Sequence, residues 1–243
     1  MTRISVILLY RDTPSTEEKL MLSLWGEADP SVETLIVSPG STDSICKQEE
    51  GVRQWHITYP QRLGWGKARA IGGSYAKGQI LVFWDASFSL RPDLLERMAS
   101  LVESGVSLVL THPAETRVEK LNNVWLSAIT LNRMLGRADL RAASAYAGPC
   151  AMDRSVLNLV GSETLAIPPR VLVACVQAGM NIASKPVKGL LRVYADQAGD
   201  SGVIEDTLEA LGCWIRYKGV RGGFTDYKRE RNASKGLIRR NRS

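Results

Sequence analysis

The chain has 243 residues, 44% of them hydrophobic and 23% charged, which excludes a disordered, collagen-like or disulfide-scaffold protein and allows one substantial core. The net charge of +6 is uneven: from Lys218 to Ser243 nine Lys or Arg stand against two Asp or Glu, so the remainder is near neutral and no nucleic-acid-coating domain is indicated. Cys46, Cys150, Cys175 and Cys213 form no C-x-x-C pair and only two histidines are present, which argues against a zinc site and for reduced thiols in a cytoplasmic protein.

The opening "MTRISVILLYRD" carries an apolar run too short for a signal peptide or a membrane span, and "ISVILLY" at 4–10 has strand length. Residues 17–27 read as a helix, "VETLIV" at 32–37 as a second strand and "VRQWHITY" as a third. Ser41 and Asp43 fit the cap of a helix beginning after them. Helical spacing over 64–77 precedes the fourth strand, "QILVFW". "RPDLLERMASLVESG" has Pro92 near its first turn and Gly105 as a stop, and "VSLVL" at 106–110 is the next strand. Beyond it, residues 118–135 predict an amphipathic helix turning Leu121, Trp125, Ile129 and Leu131 inward. "ASAYAGPCAMD" reads as strand followed by turn, "PPRVLVACVQAG" as a helix, and "NIASKPVKGLLRVY" as one strand before Pro186 and another after it. A last helix is expected over 203–216, and the glycine-bearing, basic segment 218–243 reads as a flexible arm. Apolar strands alternating with helices predict an α/β fold, a mostly parallel sheet flanked by helices, with binding at the carboxyl ends of the strands.

The order of "ISVILLYRD", "ETLIVSPGSTDSI", "LGWGKARAIGGSYAKGQILVFWDAS", "GPCAMDRSVL" and "QAGMNIASKPV" resembles the family 2 glycosyltransferases, inverting enzymes of GT-A fold that use nucleotide-sugar donors. The resemblance covers roughly residues 3–190. It implies a single GT-A-like domain over 1–217, with a nucleotide-side half of about 1–112 and an acceptor-side half of about 113–217, followed by the basic arm. It places Tyr10 and Ser38 at the nucleotide, Asp85 at the first position of the family's D-x-D motif, and Mg or Mn as the metal. Lys67 and Arg69, beside Gly64 and Gly66, are candidate phosphate donors, although those glycines also suit close helix packing.

Several positions depart from the family pattern. Ser38 and Pro39 stand where paired acids are usual, and Ser87 replaces the second aspartate of the metal motif. "LAIPPRVL" puts Ile167 and Pro168 where the catalytic base belongs, and the Q-x-x-R-W signature has no equivalent beyond Gln197. The chemistry needs hard oxygen ligands for a metal that balances the leaving diphosphate, and a carboxylate to take the acceptor proton. Asp85, Ser87 and His112 are the candidate metal ligands. Asp153 and Glu163 are the candidate bases; Asp153 also suits the N-cap of "RSVLNLV", and Glu163 a solvated loop. The expected function is transfer of a sugar from a UDP- or GDP-type donor to an unspecified acceptor. The competing expectation is a non-catalytic GT-A-like binding or scaffold protein; a nucleotidyltransferase fits less well, because "LLYRDTPSTEEK" lacks a glycine-rich first loop. The arm suggests an anionic membrane surface, at the inner face of the membrane, or an acidic partner. Nucleic acid is not expected as a partner.

Overall fold

Continuous apolar segments become the strands of a single sheet in the computed structural model, which describes residues 2–10, 29–40, 45–48, 53–60, 64–114, 123–146, 148–190 and 201–219. These strands are β1 (Ile4–Leu9), β2 (Val32–Pro39), β3 (Ile45–Gln48), β4 (Gln54–Tyr59), β5 (Ile80–Asp85), β6 (Leu108–Pro113), β7 (Cys150–Asp153) and β8 (Ile182–Val187). Their spatial order is β3-β4-β2-β1-β5-β7-β6-β8. Around them lie α1 (Gly64–Tyr75), α2 (Pro92–Glu103), α3 (Asn123–Met134), α4 (Arg154–Val160), α5 (Pro168–Gln177) and α6 (Ser201–Lys218). Short 3-10 turns occupy Ala138–Leu140 and Ser162–Ala166.

β1 pairs in parallel with β2 and β5, β2 with β4, and β6 with β8. β7 runs antiparallel to both β5 and β6, so those two point the same way across it. The sheet is therefore mostly parallel, and the carboxyl ends of β1, β2, β4, β5, β6 and β8 share one edge. Strands β1, β2, β5 and β6 are buried along their whole length, which is why they read as unbroken apolar runs rather than alternating ones. Alternate residues feed two core clusters on opposite faces. Val6, Leu8, Val82 and Trp84 join Leu95 and Met98 of α2 on one face. Ile7, Leu9, Leu81, Phe83, Leu108 and Leu110 join Ala68 of α1 and Leu172 of α5 on the other.

α2 starts with Pro92 in its first turn and stops before Gly105, whose φ of +99° suits glycine. Trp125 and Leu131 of α3 are buried as expected, with Ile129 packed at the rim of the core; Leu121 lies outside the described residues. The expected helix at 17–27, Ser41, Asp43, Gln197 and residues 220–243 of the arm also lie outside them.

Three local expectations are corrected. Residues 45–48 form the antiparallel edge strand β3 against β4, not the start of a helix. Pro186 sits inside the single strand β8, at the end of the sheet, where its missing N–H can face the open side. Around Gly148 the order is turn and then strand, with β7 beginning only at Cys150.

Candidate active site

Asp85 is the last residue of β5, level with Leu9 of β1 at the carboxyl edge. It is 5% exposed, and its Oδ1 accepts the Ser87 N–H at 2.8 Å while its carbonyl accepts the Phe88 N–H at 3.0 Å. Those two bonds close a tight turn in which the aspartate side chain does the work of a backbone acceptor. On the opposite face, Trp84 Nε1 donates to the Phe88 carbonyl at 2.7 Å and the two rings lie 5.7 Å apart. The turn is thus held from both faces. Ser87 contributes its amide to Asp85 and leaves its side chain at the surface.

The first two nucleotide-site candidates lie at the same edge. Tyr10 follows β1 and its N–H donates to the Val37 carbonyl at 2.9 Å, but its side chain is buried in the cluster that contains Trp84 and Phe88. Asp85 follows the alternation of Leu81 and Phe83 and so falls on the other face. Ser38 is buried in β2 opposite Thr58, and Pro39 lies opposite Tyr59 with no N–H to offer a base.

Lys67 and Arg69 part company on α1. Lys67 Nζ lies 2.6 Å from Glu163 Oε2 in an exposed ion pair. Arg69 is 3% exposed, with its guanidinium 4.6 Å from the centroid of the Phe83 ring and its Nη2 donating to Cys150 Sγ at 3.1 Å. Phe83 and Cys150 are directly opposed in the sheet, near its carboxyl edge and on the face to which Asp85 belongs. A guanidinium held over an aromatic face keeps its charge at low desolvation cost. Cys150 was not anticipated as its partner; the only sequence signal was its place after the Gly148–Pro149 turn.

His112 lies one residue before the end of β6 and is buried. Leu81, Met152 and Leu108 are level across β5, β7 and β6, which makes His112 level with Asp85 two strand spacings away, about 10 Å between backbones. Its Nδ1 donates to the Pro113 carbonyl at 2.8 Å, leaving Nε2 as the ring's acceptor. Burial holds its pKa below the ordinary value, the bond to Pro113 works the other way, and the Arg141 charge lowers it further.

The two candidate bases fare differently. Asp153 is opposite Ile80, at the start of β5, whereas Asp85 ends that strand. Five residues of strand separate the two levels, about 17 Å. A base at Asp153 cannot act on a reaction at Asp85; its Oδ1 instead accepts the Ser155 N–H at 2.8 Å as the N-cap of α4. Glu163 is near α1 but is engaged by Lys67 in solvent. At the start of α5, Pro168 and Pro169 are buried, Ile167 is the N-cap, and no acid occupies the first turn. Gly66 packs so closely here that a Cβ would lie 2.2 Å from the Ala166 carbonyl oxygen. The glycine-spaced helix start therefore has a packing reason of its own.

Among the described residues no three His, Cys, Asp or Glu side chains cluster closely enough to hold a metal unaided. The donor set still fits a metal–diphosphate pair, because a hard cation of this kind needs one or two carboxylates and takes its other oxygens from phosphate and water. Asp85, buried at the strand edge, is the residue that would supply the carboxylate.

The order of the strands, the antiparallel β7 and the strand-end aspartate define a GT-A-type α/β fold. The model of glycosyl transferase family 2 matches residues 8–160, more than half of the chain, and the chain belongs to that family. Glucosyl-3-phosphoglycerate synthase from Mycobacterium tuberculosis, in complex with Mn2+, UDP and phosphoglyceric acid, has a similar structure: TM-score 0.58, 21% identity, 87% of this chain and 79% of that one. The same synthase with UDP gives a TM-score of 0.57 at 21% identity over 87% and 80% of the chains. A further mycobacterial protein gives 0.56 at 21% over 87% and 75%. At that identity the likeness speaks for the fold. No curated protein sequence matches.

Proposed function

We propose that this protein binds a nucleoside diphosphate sugar across the carboxyl ends of β1, β2 and β5 and transfers its sugar, with Asp85 as the central binding residue. The observation that carries this reading is the buried Asp85 carboxylate, fixed by the Ser87 amide at the carboxyl edge of the sheet, the edge at which open α/β sheets bind their ligands. The similar synthase structures hold Mn2+ with UDP or UDP-glucose, which supports a uridine nucleotide and a divalent metal here.

Asp85 would supply a charged oxygen to Mg or Mn, with Ser87 as a neutral neighbour and His112 Nε2 the nearest nitrogen candidate on that face. When bound, the metal would offset the charge that grows on the departing diphosphate. Arg69 would add a fixed positive potential beneath the same edge, and its burial strengthens that field over the one an exposed lysine exerts. Tyr10 and Ser38 would contribute backbone and shape at the nucleoside rather than charge. The nucleotide side would be residues 1–112 and the acceptor side 113–217. Glu163 is the remaining candidate base; to act, it would have to leave Lys67. The basic segment 218–243 would hold the protein against an anionic surface on the cytoplasmic side.

The acid-free start of α5 favours a second reading, a GT-A-like protein that binds the nucleotide without transferring sugar. Calorimetric titration with UDP and GDP, with and without Mn2+, tests both. Metal-dependent binding lost in Asp85→Ala supports donor binding, and donor turnover then separates transfer from binding alone. Absence of binding for both nucleotides under both conditions refutes the site.

A further inference from the structure

α6 carries two apolar stripes. The inner one, Val203, Thr207, Ala210 and Trp214, is buried against the domain. The second comprises Ile204, Leu208, Leu211 and Ile215, spaced four, three and four residues apart. At 100° per residue these four fall within about 60° of arc, centred roughly 100° from the buried stripe. Leu211 is partly buried at the inner margin, while Ile204, Leu208 and Ile215 are 38%, 62% and 36% exposed. Single exposed leucines are common on any surface, but a row repeating over the length of a helix is not.

The charges are sorted around this row. Glu205, Asp206 and Glu209 fall at least about 60° beyond its edge, and Glu209 is engaged by Arg170 of α5 at 3.1 Å. At the carboxyl end, Arg216 donates to Cys213 Sγ and Lys218 lies over the Trp214 and Tyr217 rings, and neither cation has a carboxylate partner among the described residues. The sequence then continues through residues 219–243 with eight further Lys or Arg against Asp226 and Glu230. Among the described residues no helix is long and apolar enough to cross a membrane.

We propose that α6 is a membrane-docking helix: Ile204, Leu208 and Ile215 enter the headgroup region of an anionic bilayer while Arg216, Lys218 and the basic stretch beyond them engage its phosphates. The proposal rests on the surface reading of 218–243 given above and adds the apolar side chains that charge alone does not supply. A helix lying in the interface needs this pairing of a modest apolar row with adjacent cations, and shallow insertion buries only such a row. A second copy of the chain is a poorer occupant. Three or four partly exposed side chains are far from the roughly 800 Å² per partner of a stable interface, and like basic stretches would repel. Basic residues near an anionic surface each strengthen binding by about fivefold, and salt screens them.

The test is flotation of the full chain with vesicles of phosphatidylcholine alone and with 30% phosphatidylserine, at low and high salt. The expected result is salt-sensitive binding to the anionic vesicles only, weakened at least tenfold in Leu208→Ser/Ile215→Ser and also in Lys228→Glu/Arg229→Glu. Circular dichroism melts confirm that each variant is folded, and Leu208→Ser alone provides a milder variant at the most exposed position. Failure of the wild type to bind overturns the proposal, as does undiminished binding of the folded stripe variants. A dimer in light scattering that Leu208→Ser dissociates overturns it in favour of self-association. None of these positions lies at the nucleotide site, so nucleotide titration of the same variants shows which of the two proposals has failed.

Discussion

Replacing Gly66 with alanine places a Cβ 2.2 Å from the Ala166 carbonyl oxygen, 0.8 Å inside the 3.0 Å that real Cβ atoms keep. The obstructing atom belongs to backbone, so relief requires α1 and the Ser162–Ala166 turn to separate. Overpacking of this kind costs about 1–3 kcal/mol. For a chain of this size that lowers Tm by about 2–12 °C at 2–4 °C per kcal/mol. Gly73 is the internal control: its Cβ would meet Leu165 Cδ1 at 2.3 Å, the far end of a side chain that can rotate away. Gly73→Ala should therefore cost less than Gly66→Ala in thermal melts followed by circular dichroism. The same pair separates the two roles considered for the glycine-spaced helix start. If Gly66 serves packing, nucleotide affinity measured well below Tm stays within about threefold of wild type. An unchanged Tm with lost nucleotide binding would refute the packing argument and return Gly66 to a phosphate cradle.

Asp85→Asn retains an oxygen for the Ser87 amide, so Tm should hold while Mn2+-dependent UDP affinity falls at least about tenfold by calorimetry. His112 is held neutral by burial, so the unfolded chain takes up the proton first as pH falls below 6.5. Wild-type stability should therefore decline through the window from 6.5 down to the depressed folded pKa and level off beneath it, and His112→Gln should flatten that part of the urea-derived profile in metal-free buffer. Burial pushes the Cys175 thiol up to about 12, so mass-spectrometric mapping at pH 8 should find it unlabelled by thiol reagents in the native protein and labelled after unfolding.

What the sequence made legible was whatever local chemistry decides alone. β1, β2, β5 and β6 announce themselves because a parallel strand covered on both faces must be apolar throughout. α2 does so through Pro92 and Gly105. β3 was not legible because "ICKQ" has no pattern of its own and exists through its ladder with β4. Asp153 looked close to the site because the Gly148–Pro149 turn is close. β7 then runs away from that edge, and its direction is a property of the sheet rather than of the segment. The separation of Lys67 from Arg69 was readable in principle. Residues two apart on a helix do not share a face, so one of them had to turn from any common phosphate. That Arg69 would go inward, onto Phe83 and Cys150, depends on a strand eighty residues later.

The two edges of the sheet bear different kinds of polar contact, and this decides how substitutions can be read. At the amino edge, buried Glu33 Oε1 accepts from Ser5 Oγ at 2.5 Å and from the Lys77 N–H at 2.6 Å, while Ser5 Oγ accepts the Gly78 N–H at 2.7 Å. Arg154 donates to the Gly78 and Ala76 carbonyls at 2.7 and 2.8 Å, tying β7 and α4 to the end of α1. These groups satisfy one another within the protein, so removing one leaves a buried partner unmet and acts on stability. The surface pairs of Arg3 with Glu103 and Glu96 at the same edge add little by comparison. At the carboxyl edge Asp85 Oδ1 closes its own turn through the Ser87 amide, and the Arg69 charge is met by a thiol and a ring rather than an acid. The Arg69 charge, held at low cost over the Phe83 ring with no carboxylate partner among the described residues, is left to act on an anionic ligand at that edge. Variants of Asp85 and Arg69 should therefore appear in binding before they appear in stability, whereas Glu33 and Ser5 variants should show the reverse.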